Sequence, residues 1–187
     1  HEQLQRKIVP WELSTIECAN FDRMSLERKR TYAGEIIVVA SLLEKAPNLA
    51  GLCRTCEIFA VSTLVLPSLT MAESPAFKGQ SATADQWLHL AECSREQLGE
   101  YLQKKQSEGF ELVGLEQTSK SILLDKYKCS SKTVLLLGNE KHGIPVEILN
   151  LLHKCVEIPQ FGVVRSLNVH VSGSLILWEM RKQLSLN

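Results

Sequence analysis

The chain has 187 residues, of which 44% are hydrophobic and 22% charged. This is an ordinary globular balance that argues against disorder, and it gives one domain enough apolar surface to hold a core without metal or disulfide staples. Lys plus Arg number 21 and Asp plus Glu 21, for a net charge of +0, which disfavours a domain that grips nucleic acid by bulk charge. No apolar run approaches the roughly 18–20 residues of a membrane span, and the polar start His1-Glu2-Gln3 does not read as a signal peptide. The lack of a starting Met suggests a fragment.

In chain order, residues 1–34 read as a lead-in, with Pro10 and Trp11 breaking any periodicity and a short exposed helix over Met24 to Gly34. Residues 35–187 read as a single domain. Glu35 to Ala40 is a β-branched run, hence a buried strand. Pro47 opens a helix to about Phe59, and Thr63 to Leu66 is a second strand. Pro67 to Ala84 reads as a polar loop. Ser94 with Gln97 resembles a capping box that starts a helix to about Gln106, ended by Gly109. Glu111 to Leu115, Thr133 to Leu137 and Cys155 to Ile158 are three more strands, with Pro145 placed for the first turn of a helix. The last helix runs from about Leu167 to Gln183. Alternating strands and helices predict an α/β fold, a mostly parallel sheet flanked by helices. Ligands then sit beyond the carboxyl ends of the strands.

Six cysteines are scattered, and Cys53 and Cys56 form a lone C-x-x-C. A zinc site wants a second pair, so thiols packed in a helical core are the better reading, in a reducing compartment. No metal site is expected. Neither G-x-G-x-x-G nor a P-loop nor G-x-S-x-G occurs, which disfavours standard dehydrogenases, P-loop NTPases and α/β-hydrolases.

Three segments fall on the ligand side. Asn48-Leu-Ala-Gly-Leu-Cys-Arg54 lies in the helix after the first strand. Gly138-Asn139-Glu140-Lys141-His142-Gly143 follows the clearest strand, with glycines for close approach and positive φ. Ile158-Pro159-Gln160-Phe161-Gly162 leads to Ser166-Leu167-Asn168-Val169, where Ser166 reads as a candidate cap of the last helix. Read singly, each has a plain structural role: a surface arginine, a tight turn, a helix cap.

Together these segments resemble the motifs of the SpoU/TrmH-type RNA 2′-O-ribose methyltransferases of the SPOUT superfamily. The resemblance runs from Glu35 to Met180. It implies a deep trefoil knot formed by the C-terminal segment, a homodimer, and S-adenosylmethionine as methyl donor, released as S-adenosylhomocysteine. It implies a cofactor site at Leu115, Glu116, Gly138, Asn139, Glu140, Gly143, Ile158, Pro159, Ser166 and Leu167. The catalytic set it implies is Asn48, Arg54, Glu140, Ser166 and Asn168, with Arg54 supplied by the second subunit. Whether Arg54 acts as base or as electrostatic stabiliser stays open. The substrate it implies is RNA, foremost a D-loop guanosine of tRNA, in an intracellular (cytoplasmic or nuclear) setting without a membrane. His170 and Gly173 replace small residues of the family pattern, Gln160 a common Met, and Ala50 and Ala60 common glycines. Two basic clusters, Arg28-Lys29-Arg30 and Lys126, Lys128 and Lys132 beside Tyr127, are candidate RNA contacts. The rival reading is a non-catalytic RNA-binding or dimerisation module that keeps the fold, and a nucleotide-binding regulator is a second.

Overall fold

The computed structural model describes residues 34–164 and 166–185. The lead-in, with Cys18 and the Arg28-Lys29-Arg30 cluster, lies outside the described residues. Seven strands form one sheet: β1 (Glu35–Val39), β2 (Thr63–Leu66), β3 (Leu90–Glu92), β4 (Glu111–Leu115), β5 (Ile122–Leu123), β6 (Lys132–Leu137) and β7 (Lys154–Glu157). Their spatial order is β3-β2-β1-β6-β4-β7-β5, and every described pairing is parallel. Among the described residues, six helices accompany them: α1 (Ala46–Ile58), α2 (Thr70–Glu73), α3 (Pro75–Ser81), α4 (Leu98–Ser107), α5 (Val146–Leu149) and α6 (Val169–Ser185).

The β-branched runs explain the layering. In β1, Ile36 and Val38 join α1, α3 and α6 in one core, while Ile37 and Val39 join α4 and α5 in another. Leu135 and Leu137 of β6 face the first core, and Val134 and Leu136 the second. A sheet covered on both faces needs such continuous apolar strands, and each fully buried Leu, Ile or Val contributes roughly 1.5–3 kcal/mol.

Several expectations change. Pro67 to Ala84 is not a plain loop: it holds α2, α3 and a 3-10 turn at Ala84–Gln86. Pro75 begins α3, and Ser74 caps it by accepting from Phe77 N at 3.2 Å. The strands β3 and β5 were not legible, because three and two residues are too short to show a period. Half of the expected box exists, as Ser94 N donates to Gln97 Oε1 at 3.4 Å, but α4 starts only at Leu98. Pro145 stands just outside α5, as its N-cap. The last helix begins at Val169, so Asn168, not Ser166, caps it: Asn168 Oδ1 accepts from His170 N at 2.9 Å and Val171 N at 3.4 Å.

Cys53 and Cys56 are fully buried free thiols on α1. Burial, reinforced by Asp85 and Glu57, pushes Cys53 up to about 12. Neither is a reactive thiolate at neutral pH. Tyr127 is buried rather than laid beside a basic surface, and Lys126 pairs with Asp125 at 3.2 Å.

The end of α1 depends on α6. Ala60 takes a left-handed φ of 51°, and buried Arg181 donates through Nε to Phe59 O at 2.9 Å and through Nη2 to Ala60 O at 3.0 Å. Arg181→Ala should cost about 2–3 kcal/mol, through carbonyls left without a donor and lost packing. At roughly 2–4 °C per kcal/mol, the melting midpoint falls by roughly 4–12 °C. An unchanged calorimetric midpoint would reject this role.

Candidate active site

A cleft of about 520 Å³ opens beyond the carboxyl ends of β4, β6 and β7. Its walls come from three loops and from the facing ends of α1 and α6. Glu116 and Gln117 follow β4, Gly138 to Lys141 and Gly143 follow β6, and Ile158 and Gln160 follow β7. Ser166 to Asn168, just before α6, close it together with Val169 and Ser172 on that helix, and Lys45 and Asn48 close it at the start of α1.

The loop after β6 is a rigid turn. Asn139 N donates to Gly143 O at 2.9 Å, and Gly143 N to Asn139 O at 3.0 Å. Asn139 Oδ1 accepts from Lys141 N at 3.0 Å and His142 N at 3.1 Å. Its Nδ2 donates to Leu42 O at 3.0 Å and Glu44 Oε1 at 3.1 Å. The Asn139 side chain is thus spent on anchoring the turn, and the residue lines the cleft. Gly143 has φ +66°, a conformation that favours glycine, and a Cβ there would strike the Glu116 carboxylate. That carboxylate ties β4 to the turn, since Glu116 Oε2 accepts from Ile144 N at 3.0 Å.

A polar chain crosses the cleft from loop to helix to helix. Asn48 Nδ2 donates to Glu140 Oε1 at 2.9 Å, and Asn168 Nδ2 donates to Asn48 Oδ1 at 2.9 Å. Three residues separated by 92 and 120 positions in sequence become one network. Burial alone would raise the Glu140 carboxyl. The bonds from Asn48 and from the backbone amides of Glu140 and Glu44, with the Lys45 charge, outweigh it and hold that carboxyl below its ordinary value. A carboxyl with a lowered folded-state pKa adds stability above its unfolded value, about 4.3, and loses it as pH falls through the lower folded value. Wild type should therefore lose stability below about pH 4.3 more steeply than Glu140→Gln. Superimposable acid limbs in denaturant titrations would refute that.

The structure thus brings Asn48, Leu115, Glu116, Gly138, Asn139, Glu140, Gly143, Ile158, Ser166, Leu167 and Asn168 together around the cleft. Pro159 and Arg54 stand outside its wall. Arg54 is exposed. Six residues beyond Asn48 it points about 120° away around α1, so it does not pair with Glu140 within one chain. Leu137, Lys141, Gln160 and Val169 lie in the segments singled out from the sequence without being named as site residues, and sequence reasoning missed Lys45, Gln117, Val156, Glu157 and Ser172. The rule that ligands sit beyond strand ends would have found Val156 and Glu157. Lys45 carries no signal, because its place depends on how α1 packs. No group of three metal-ligating side chains occurs among the described residues, and no described helix is long and apolar enough to cross a membrane.

A parallel α/β sheet with a small-molecule cleft at the ends of neighbouring strands, crossed by a carboxylate–amide network, defines an enzyme-like ligand-binding domain. The chain belongs to the SpoU rRNA Methylase family, whose pattern it matches over residues 35–178. It is 45% identical over 183 residues to a mouse protein named tRNA (guanosine(18)-2'-O)-methyltransferase TARBP1, covering 96% of this chain and 12% of that protein. It is 40% identical over 144 residues to the Saccharomyces cerevisiae tRNA (guanosine(18)-2'-O)-methyltransferase, covering 76% of this chain and 10% of that one. The chain therefore spans about a tenth of the length of these relatives. The fold is also that of the Aquifex aeolicus TrmH/SpoU tRNA modifying enzyme, with TM-score 0.72 and 23% identity over 87% of this chain and 83% of the other. An AdoMet-bound rRNA methyltransferase from Sinorhizobium meliloti aligns with TM-score 0.72 and 23% identity, over 82% of this chain and 58% of its own.

Proposed function

We propose that the chain is the methyltransferase domain of a tRNA (guanosine-2′-O-)-methyltransferase. It would methylate the ribose 2′-OH of a D-loop guanosine, position 18 as in the names of its relatives. The observation that carries this reading is the Glu140–Asn48–Asn168 network at the mouth of a cofactor-sized cleft.

The cleft suits S-adenosylmethionine. Its volume lies within the roughly 300–1,000 Å³ of small-molecule sites. Leu115, Leu137, Val156, Ile158 and Leu167 offer apolar walls for a purine, and the backbone of Gly138 to Glu140 offers polar edges. When bound, this cofactor supplies an electrophilic methyl group and leaves as S-adenosylhomocysteine. Gly138, Asn139, Gly143 and Leu167 hold it chiefly through main chain, with Pro159 shaping the loop beneath.

The protein's remaining task is to position a weakly acidic hydroxyl and stabilise the charge it develops. Arg54 does this from the second subunit of a homodimer. Its planar donors meet the target phosphate and the developing alkoxide. Asn168 and Ser166 orient the ribose, and Glu140 fixes Asn48. Support for the dimer comes from an exposed apolar strip beside Arg54: Ile58 on α1, and Val171, Leu175 and Trp178 on α6, are 62%, 44%, 42% and 57% exposed. Such a strip is unusual on a monomer. In this reading the segment from β7 into α6 is also the threaded part of a trefoil knot.

Titration with S-adenosylmethionine in a calorimeter is the first test, since it needs no RNA. Saturation near one site per chain, followed by ribose methylation of a tRNA transcript, supports the reading. A folded dimer that binds no cofactor at millimolar concentration refutes it and leaves a non-catalytic RNA-binding module.

A further inference from the structure

The polar contacts between α1 and α6 extend beyond the cleft. Two residues past the Asn168 cap, the His170 imidazole packs against α1 at Gly51. A Cβ on Gly51 would stand 2.5 Å from His170 Nδ1 and 2.6 Å from Cε1. His170 Nε2 lies 2.9 Å from Thr55 Oγ1, which is also 3.2 Å from Ser174 Oγ. The Ser174 hydroxyl in turn donates to His170 O at 2.8 Å. A hydrogen-bonded imidazole is therefore wedged between α1 and α6.

Helix geometry gives this wedge a consequence. Asn48 and Thr55 are seven residues apart, about 20° short of two full turns, with Gly51 between them on the same side. This stripe of α1 makes polar contacts at two places, Asn48 with Asn168 just before α6, and Thr55 with His170 and Ser174, while Leu52 between them lies against Gly173. Arg54 precedes Thr55 in sequence and projects about 100° away. These two polar points oppose a roll of α1 about its axis, together with the buried Leu52 at Gly173 and the Arg181 bonds at the end of the helix. With the first point alone, Gly51 has no side chain to hold the next turn. Burial keeps the imidazole neutral by lowering its pKa, which suits its place between two helices.

We propose that His170 is a positioning residue for Arg54: wedged over Gly51 and bonded to Thr55, it sets the rotation of α1 and hence the direction in which that arginine is presented. The inference rests on the reading of Arg54 given above.

The test uses the full chain, an unmodified tRNA transcript and S-adenosylmethionine. His170→Ala should lower kcat about 10- to 100-fold, the scale of an ångström-sized misplacement, with cofactor affinity, tRNA KM and dimerisation unchanged. His170→Gln should recover most of kcat, because its amide reaches the place of Nε2. Gly51→Ala should match His170→Ala, since the methyl displaces the ring. Adding Gly51→Ala to His170→Ala should cost nothing more, because the ring is already gone. Additive losses, an unchanged kcat in His170→Ala, or a loss confined to cofactor affinity would each overturn the proposal. Should His170→Ala fail to fold, His170→Gln and Gly51→Ala decide alone. Arg54→Ala is measured beside them. If it is fully active, the reading of Arg54 falls and takes this inference with it; if it is inactive while the His170 and Gly51 variants are normal, only this inference falls.

Discussion

Arg54→Ala should reduce methyl transfer by about 100- to 1,000-fold, the usual cost of deleting one preorganised group that stabilises transition-state charge. Binding of S-adenosylmethionine should be unaffected, because Arg54 stands outside the cleft wall and is exposed. Arg54→Lys should not rescue turnover: an ammonium is a point charge and cannot span phosphate and 2′-oxygen with a fixed fork. Single-turnover kinetics beside calorimetry separates the two effects. Wild-type turnover in Arg54→Ala would remove it from the mechanism.

Gly138→Ala should lower activity by the opposite route, through weaker cofactor binding. A Cβ at position 138 would lie 2.9 Å from Gly143 C, 3.0 Å from Gly143 Cα and 3.1 Å from Ile144 N. All three are backbone atoms of a turn locked by the Asn139–Gly143 bridge. Strain of roughly 1–3 kcal/mol is expected, and at 1.4 kcal/mol per tenfold this weakens cofactor binding about 5- to 150-fold. Unchanged cofactor affinity would show that the turn is no part of the site. The two variants also test the subunit arrangement together. If Arg54 serves the partner's cleft, a mixed dimer of Arg54→Ala and Gly138→Ala chains keeps one intact arginine facing one intact cleft. Mixing should then raise activity above that of either variant alone. No recovery on mixing would place Arg54 and the cleft it serves in the same chain.

Much of this was legible from local chemistry. The runs Ile36 to Val39, β-branched throughout, and Val134 to Leu137, apolar throughout, read as covered strands, and their alternation with helical segments points to the parallel α/β architecture. The glycines at 138 and 143 announce a tight turn at a strand end. The three motif segments could be assigned to one side of the sheet because a parallel sheet puts all its carboxyl ends together. What failed was short or mixed in pattern. Leu90–Glu92 and Ile122–Leu123 become strands because β2 and β7 offer them open edges. Tyr127 enters the core although Lys126 and Lys128 flank it.

The sequence by itself determined the layer order of the chain, the cleft's main loops and the residues from which a polar site is made. The tertiary structure decided their roles. Asn168 became both helix cap and network member, Asn139 an anchor, and Arg54 an exposed group outside its own chain's cleft. The reason is that periodicity and turn chemistry act over a few residues. The bonds that assign roles here join positions 92 to 120 residues apart, and they depend on how α1 and α6 roll against one another once both pack on the same sheet.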